Sequence, residues 1–357
     1  MKRVGDLKRL AFEKKSFDGF LVMNEANMLY LAGFPGAISL LIPKDGETIL
    51  YVYSVNYEQA KAEGKEFTVE LLKRKENLMQ TIARKVAELG IRKLAIDSLS
   101  FENYRMLSKG LRKKARMYAR SRLIWELRKL KNADELELMK KAGELASTGM
   151  EAAFQTIALG IREYEIAAEV EYAMRRNGSW GTAFETIVAS GSRSAFPHGG
   201  CTDRKIQRGD LIVVDLGATY KYYRSDLTRT IVAGEPTERQ KRIYEIVRLA
   251  HEKSCEAAKP RSVAREVDAA ARQAIEKSGY GKYFVHGLGH GVGLEVHEPP
   301  TLGQESRDKL RAGNVVTIEP GIYIPGFGGI RIEDTLLVQE PSPAKFTKAA
   351  YTLKAKR

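Results

Sequence analysis

The chain has 357 residues, 43% hydrophobic and 29% charged, a composition that excludes a disordered segment or a disulfide-bound miniprotein and leaves room for about two hydrophobic cores. Lys and Arg outnumber Asp and Glu by 59 to 45, but Lys73-Arg74-Lys75, Arg112-Lys113-Lys114-Ala115-Arg116 and Lys354-Ala355-Lys356-Arg357 are not interleaved with aromatics, so a solvated surface and no nucleic-acid partner are expected. No apolar run is long enough to span a membrane, charges break up the first eight positions, and Cys201 and Cys255 are the only cysteines, so the reading is a cytoplasmic protein with no membrane partner, disulfide framework or Cys-based zinc site.

Residues 19–23 and 93–97 read as buried strands, each after a segment of helical spacing. Residues 38–42 and 48–53 flank Pro43-Lys44-Asp45-Gly46, whose Asp-Gly pair signals a hairpin. A small α/β layer with a mixed sheet and no glycine-rich phosphate loop is therefore predicted for 1–121. The pattern then changes. Asn132 and Glu135 have the spacing of a capping box, and Leu136, Met139, Ala142, Gly143, Ala146 and Met150 recur at helical spacing, opening a second domain, 122–357. A helix over 163–176 stops at Asn177-Gly178. Strands dominate from 181 onward, interrupted by helices at about 237–258 and about 263–278. The basic stretch 351–357 is expected to fray.

Four acidic residues sit on apolar strands. Leu211-Ile212-Val213-Val214-Asp215 is followed by Ser225-Asp226-Leu227-Thr228-Arg229, and a hairpin centred near Tyr220 and Lys221 would set Asp215 opposite Asp226. Such a pair repels unless it holds a cation, shares a proton or bonds Arg224 or Arg229; this hairpin alone leaves those readings open. Residues 315–319 and 330–334 repeat the pattern, and a turn centred on Gly326 sets Glu319 opposite Glu333. Three of the five histidines, His286, His290 and His297, fall within twelve residues among glycines that allow close backbone approach. A dinucleotide loop is set aside, because Val292 stands where the third glycine belongs. His251, on a helical stretch, is expected to be solvated. Four carboxylates with an imidazole suit a pair of divalent ions such as Mn, Co, Zn or Fe(II).

The order Asp215, Asp226, His290, Glu319, Glu333, set in Val-Asp-Leu-Gly, Ser-Asp-Leu-Thr-Arg-Thr, Gly-His-Gly-Val-Gly, Ile-Glu-Pro-Gly-Ile-Tyr and Arg-Ile-Glu-Asp, resembles the pita-bread metallopeptidases. It is most similar to the Xaa-Pro dipeptidases (prolidases) and Xaa-Pro aminopeptidases. The resemblance implies an α/β N-terminal creatinase-like domain followed by an α+β pita-bread catalytic domain. It also implies two metal ions, with Asp215, Asp226 and Glu333 on one and Asp226, His290, Glu319 and Glu333 on the other. Glu319 would be general base and then acid, His297 and His198 would face the substrate, and His286 would be a further active-site histidine. Arg331 would bond a ligating carboxylate, with Asp226 the expected partner.

The implied substrate is a small peptide ending in or containing proline. Dipeptide hydrolysis is the leading reading, aminopeptidase action on longer peptides the alternative, and a non-catalytic binding module is disfavoured by the complete ligand set. One departure stands out. An Arg expected shortly after His297 in prolidases is absent from Glu298-Pro299-Pro300-Thr301-Leu302, leaving His198 or Arg307 to take the substrate carboxylate. The resemblance further implies a homodimer. Leu31-Ala32-Gly33-Phe34-Pro35-Gly36 is its candidate closing loop over the partner's site, or else an ordinary surface turn.

Overall fold

A computed structural model describes residues 2–354; Met1 and positions 355–357 of the basic C-terminal cluster lie outside the described residues. The chain divides into two compact units, Met1–Arg128 and Lys129–Arg357.

The main elements of the first unit are α1 Lys2–Lys8, β1 Gly19–Val22, α2 Glu25–Ala32, β2 Ser39–Pro43, β3 Ile49–Val52, α3 Ser54–Glu63, β4 Thr68–Leu71, α4 Leu78–Glu88, β5 Lys93–Ile96, α5 Phe101–Leu111, β6 Arg116–Ala119 and α6 Ser121–Arg128. The strands form one sheet in the order β4-β3-β2-β1-β5-β6. It is mixed: β1 runs antiparallel to β2 and parallel to β5. Leu21, Leu41, Tyr51 and Leu94 pack against Ile82 and Val86 of α4 and Leu107 of α5, which gives the predicted α/β layer its core. The expected division at 121/122 falls at the start of α6, a helix that packs against α1 inside the first unit. Of the candidate closing loop, Leu31 and Phe34 are buried, and Gly33 ends α2 in the left-handed region at φ 69°.

The second unit opens with α7 Ala133–Thr156 and α8 Glu163–Arg176. Asn132 and Glu135 form the predicted capping box at the start of α7. Four short strands follow: β7 Gly181–Thr182, β8 Ile187–Ser190, β9 Leu211–Leu216 and β10 Ala218–Tyr220. Next come β11 Tyr223–Arg224, β12 Leu227–Val232, α9 Glu238–Ala257 and α10 Ala264–Lys277. The remaining strands are β13 Gly289–Gly291, β14 Glu298–Leu302, β15 Val315–Ile318, β16 Gly321–Ile324, β17 Gly328–Arg331, β18 Asp334–Leu337 and β19 Ala344–Lys345. The sheets that carry the acids run β12-β9-β8 and β14-β13-β15-β18-β19.

Successive strand residues point to opposite faces, and this alternation places the acids. Ile212, Val214 and Leu216 of β9 pack with Met150 of α7 and Val170 of α8, so Asp215 faces the other way. Val316 and Ile318 of β15 and Leu336 of β18 pack with Val247 of α9 and Ala271 of α10, which turns Thr317, Glu319, Glu333 and Thr335 away from those helices.

The first hairpin corrects the expected register. Asp215 pairs with Thr228, not Asp226, because the turn falls at Lys221 and Tyr222, both left-handed at φ 44° and 73°. This is a two-residue turn that matches strand twist. The shift is by two positions, so Asp226 keeps the same face as Asp215. In the second hairpin Ile318 pairs with Asp334 and Gly321 with Arg331, a continuous register that sets Glu319 across from Glu333. Gly326 lies at its centre with φ 76°. The described part of the stretch expected to fray, 351–354, is held through Leu353, whose carbonyl accepts from the Val232 amide at 2.7 Å.

Glu163, at the start of α8, is fully buried. It accepts from the amide and hydroxyl of Ser190 at 2.8 and 2.7 Å, from those of Thr202 at 2.9 and 2.6 Å, and from Arg193 at 2.9 Å. It thereby ties both ends of the loop that carries His198. Removing one partner of a buried ion pair costs about 3–5 kcal/mol. Since Arg193 keeps some contact with solvent, Glu163→Ala is expected to lower the unfolding free energy by about 3 kcal/mol in urea titration; a loss under about 1 kcal/mol would show the loop to be held by other means.

Candidate metal centre

A cavity of about 630 Å³ in the second unit is lined by Asp215, Asp226, His290, Glu319 and Glu333, together with His198, His286, His297 and Arg331. Every residue singled out from the sequence as ligand or reactant thus meets at one place. Arg307, the alternative to His198 for a substrate carboxylate, does not line the cavity, whereas Thr301 does.

One ligand atom each from Asp226, His290 and Glu333 lies within 4.8 Å of the others. The His290 Nε2 is 3.8 Å from Asp226 Oδ2 and 3.3 Å from Glu319 Oε1. Its Nδ1 stands 3.0 Å from the Gly291 carbonyl, which can only accept, so Nδ1 donates there and Nε2 is the nitrogen turned toward the carboxylates. The strand that presents it is crowded: a Cβ at Gly289 would run into the Thr317 carbonyl, and one at Gly291 would stand 2.5 Å from the Pro299 carbonyl.

The carboxylates are only partly satisfied. Arg331 Nη2 donates to Asp215 Oδ2 at 2.6 Å, Thr228 Oγ1 to Glu333 Oε2 at 2.6 Å, and Thr317 Oγ1 to Glu319 Oε1 at 3.1 Å. Asp215 Oδ1 and Glu333 Oε1 are buried with no hydrogen-bond partner among the described residues. Burial first, then the charge of Glu333, Asp215 and Glu319, pushes the Asp226 pKa well above the usual carboxylate range. Burial and then Glu319 and Asp215 do the same to Glu333. Burial also raises Glu319. Orphaned oxygens on crowded acids beside an imidazole fit hard or borderline divalent ions.

Arg331 bonds Asp215 and not the expected Asp226; it enters from β17, which packs on both β9 and β12. Its Nη1 donates to the Tyr323 hydroxyl at 2.8 Å, and that hydroxyl lies 2.9 Å from His286 Nε2. Since His286 Nδ1 faces the Gly287 carbonyl at 2.7 Å, both of its ring nitrogens are engaged. His297 stacks edge-on against His290, ring centroids 4.3 Å apart, and like His198 it is exposed at the cavity wall. His251 overturns the expectation of solvation: it is fully buried, 3.3 Å from Asp334, and burial lowers its pKa.

Thr228, Thr317 and Tyr323 went unread in the sequence. Each lies within a few positions of a singled-out acid, in Ser-Asp-Leu-Thr-Arg-Thr, Val-Val-Thr-Ile-Glu and Glu-Pro-Gly-Ile-Tyr, and the period-two spacing of Thr317 and Glu319 marks a shared face.

Comparison with known proteins agrees with this geometry. Residues 6–130 match the creatinase/prolidase N-terminal domain, and residues 137–340 match metallopeptidase family M24. An Xaa-Pro dipeptidase of Pyrococcus furiosus is 44% identical, with 96% of each chain covered. The crystal structure of the prolidase from Pyrococcus horikoshii superposes with a TM-score of 0.92 at 42% identity, covering 99% of this chain and 100% of the other. That of an X-Pro aminopeptidase from Thermotoga maritima gives 0.86 at 35% identity, covering 96% and 99%. A creatinase-like α/β domain thus precedes an α+β pita-bread domain, and the chain belongs to metallopeptidase family M24.

Proposed function

We propose that this metallopeptidase hydrolyses the bond preceding proline, that its main substrates are Xaa-Pro dipeptides, and that it uses two divalent ions per subunit. The observation that carries the reading is the meeting of Asp226, His290 and Glu333 beside buried carboxylate oxygens that find no partner among the described residues. The names of the Pyrococcus relatives support the substrate.

On this reading Asp215, Asp226 and Glu333 hold one ion and Asp226, His290, Glu319 and Glu333 the other, with Mn, Co, Zn and Fe(II) all compatible with the donors. When bound, such ions supply Lewis acidity toward a water and toward the scissile carbonyl. Glu319 would be the proton carrier, a carboxyl on the cavity wall beside His290 that can take a proton from a water and return it. The proton ends on the proline nitrogen, which in the tertiary amide has no hydrogen of its own. Partial burial, then His290 and His198, lowers the His297 pKa and favours the neutral ring, which would offer one N–H to the carbonyl oxygen. His198 is the group for the dipeptide carboxylate.

Aminopeptidase action on longer peptides is favoured by one feature, Thr301 on the cavity wall in a stretch without a basic residue. Catalysis is assigned to the domain expected at 122–357. Family resemblance supports a homodimer and a cytoplasmic site of action; among the described residues no helix is long and apolar enough to cross a membrane.

Hydrolysis of an Xaa-Pro dipeptide is expected to stop on chelation, to return with Mn or Co, and to exceed that of an Xaa-Pro-Yaa tripeptide in kcat/KM; a preference for the tripeptide would make the enzyme an aminopeptidase, and indifference to chelator would end the metal reading. Glu319→Gln should reduce kcat by about 10²–10⁴-fold with circular dichroism unchanged, and a parent-like rate would remove Glu319 as proton carrier. The raised pKa values of Asp226 and Glu333 mean that an incoming cation displaces protons whose release is easier as pH rises. The gain in Tm on adding Mn should therefore be larger at about pH 7 than at about pH 5; the opposite trend would contradict the carboxylate ligand set.

A further inference from the structure

Directly beside Glu333, facing away from the cavity, lies a buried charged network that the chemistry above does not use. Asp334 is fully buried. Its Oδ1 accepts from Arg229 Nη2 at 3.0 Å and Thr347 Oγ1 at 2.7 Å. Its Oδ2 faces His251 and Lys345, each at 3.3 Å, and accepts from the Tyr351 hydroxyl. Arg229, also fully buried, turns its remaining hydrogens to four carbonyls: Thr228 at 2.9 Å, Glu333 at 2.6 Å, Ala349 at 3.0 Å and Ala350 at 3.2 Å. The guanidinium lies over the Tyr351 ring, 4.4 Å from its centroid.

Glu333 is thus gripped at both ends. Thr228 holds one carboxylate oxygen, Arg229 holds the backbone carbonyl, and the segment after β18 folds back to hold Arg229 and Asp334. Core filling alone does not account for Tyr351, which leaves 41% of its surface in solvent; besides a tilted ring contact with His251, it makes polar and cation–π contacts. Nor does stability require the ion pair, since well-packed apolar residues often do as well in such places. What apolar packing cannot supply is a fixed direction for the Glu333 backbone.

We propose that Arg229 and Tyr351 are positioning residues for Glu333, so that retention of metal depends on the segment that follows β18. The inference rests on the reading of Glu333 as a ligand. Its test titrates metal-depleted full-length protein with Mn(II) by calorimetry, beside the Tm of the metal-free form. Tyr351→Phe keeps the ring beneath Arg229 and removes only the hydroxyl; it should weaken Mn(II) binding about threefold, and Arg229→Lys about tenfold, near the range seen when outer partners of metal ligands are changed. In Tyr351→Phe the metal-free Tm should stay close to the parent's, and kcat should recover at saturating Mn(II) with KM unchanged.

Parent-like affinity in Tyr351→Phe, whatever happens to Tm, overturns the proposal, and that variant decides the matter if Arg229→Lys fails to fold. A parent protein that binds no Mn(II) overturns this inference together with the metal centre. One that binds Mn(II) normally but cleaves no Xaa-Pro bond removes the proposed substrate and leaves the positioning role standing.

Discussion

Four carboxylates share the wall of one cavity, and their mutual repulsion is the constraint around which the second unit is arranged. Two like charges about 4 Å apart cost on the order of 4 kcal/mol at the screening typical of a protein site, and each acid taken out of water adds a desolvation penalty. The chain answers only in part: Arg331 reaches Asp215, Thr228 reaches Glu333 and Thr317 reaches Glu319. Raised pKa values on Asp226, Glu319 and Glu333 are what remains of the debt when no cation is counted. A fold that bore this charge without use for it would gain from neutralising the acids that no cationic side chain answers, whereas Asp215 is answered by Arg331.

The arrangement that makes the charge bearable is layered. Two helical pairs, α7 with α8 and α9 with α10, each claim the apolar face of a group of strands, and alternation along those strands delivers the acids to the opposite side. The two hairpins then act as matched jaws. One brings Asp215 and Asp226, the other Glu319 and Glu333, while the glycine-rich stretch before β14 brings His290 close because Gly289 and Gly291 have no side chain to keep the neighbouring strands away.

Much of this was legible in the sequence because it follows from local pattern. The capping box at Asn132, the helix stop at Asn177, the hairpin around Asp45-Gly46 and the register through Gly326 all rest on residues a few positions apart. What was misread depended on partners far along the chain or on turns without a signal. Lys221 and Tyr222 adopt left-handed backbone with no glycine to announce it, and the register moved by two. His251 looked like a solvated helical histidine because Asp334, which receives it, lies 83 positions later in the numbering. The partner of Arg331 was misread for the same reason, since the packing of β17 on β9 and β12 decides between two nearby acids.

The strict division of β9, β12, β15 and β18 into a helix-facing half and a cavity-facing half also bears on how such a chain changes over generations. Ile212, Val214, Val316 and Leu336 answer only to the helices above them, where exchanges among aliphatics of similar volume usually cost less than about 1.5 kcal/mol. Exchange there alters stability without reaching the cavity, whereas Arg229 and Asp334, on the same outer side of β12 and β18, are tied back to Glu333 and lack that freedom.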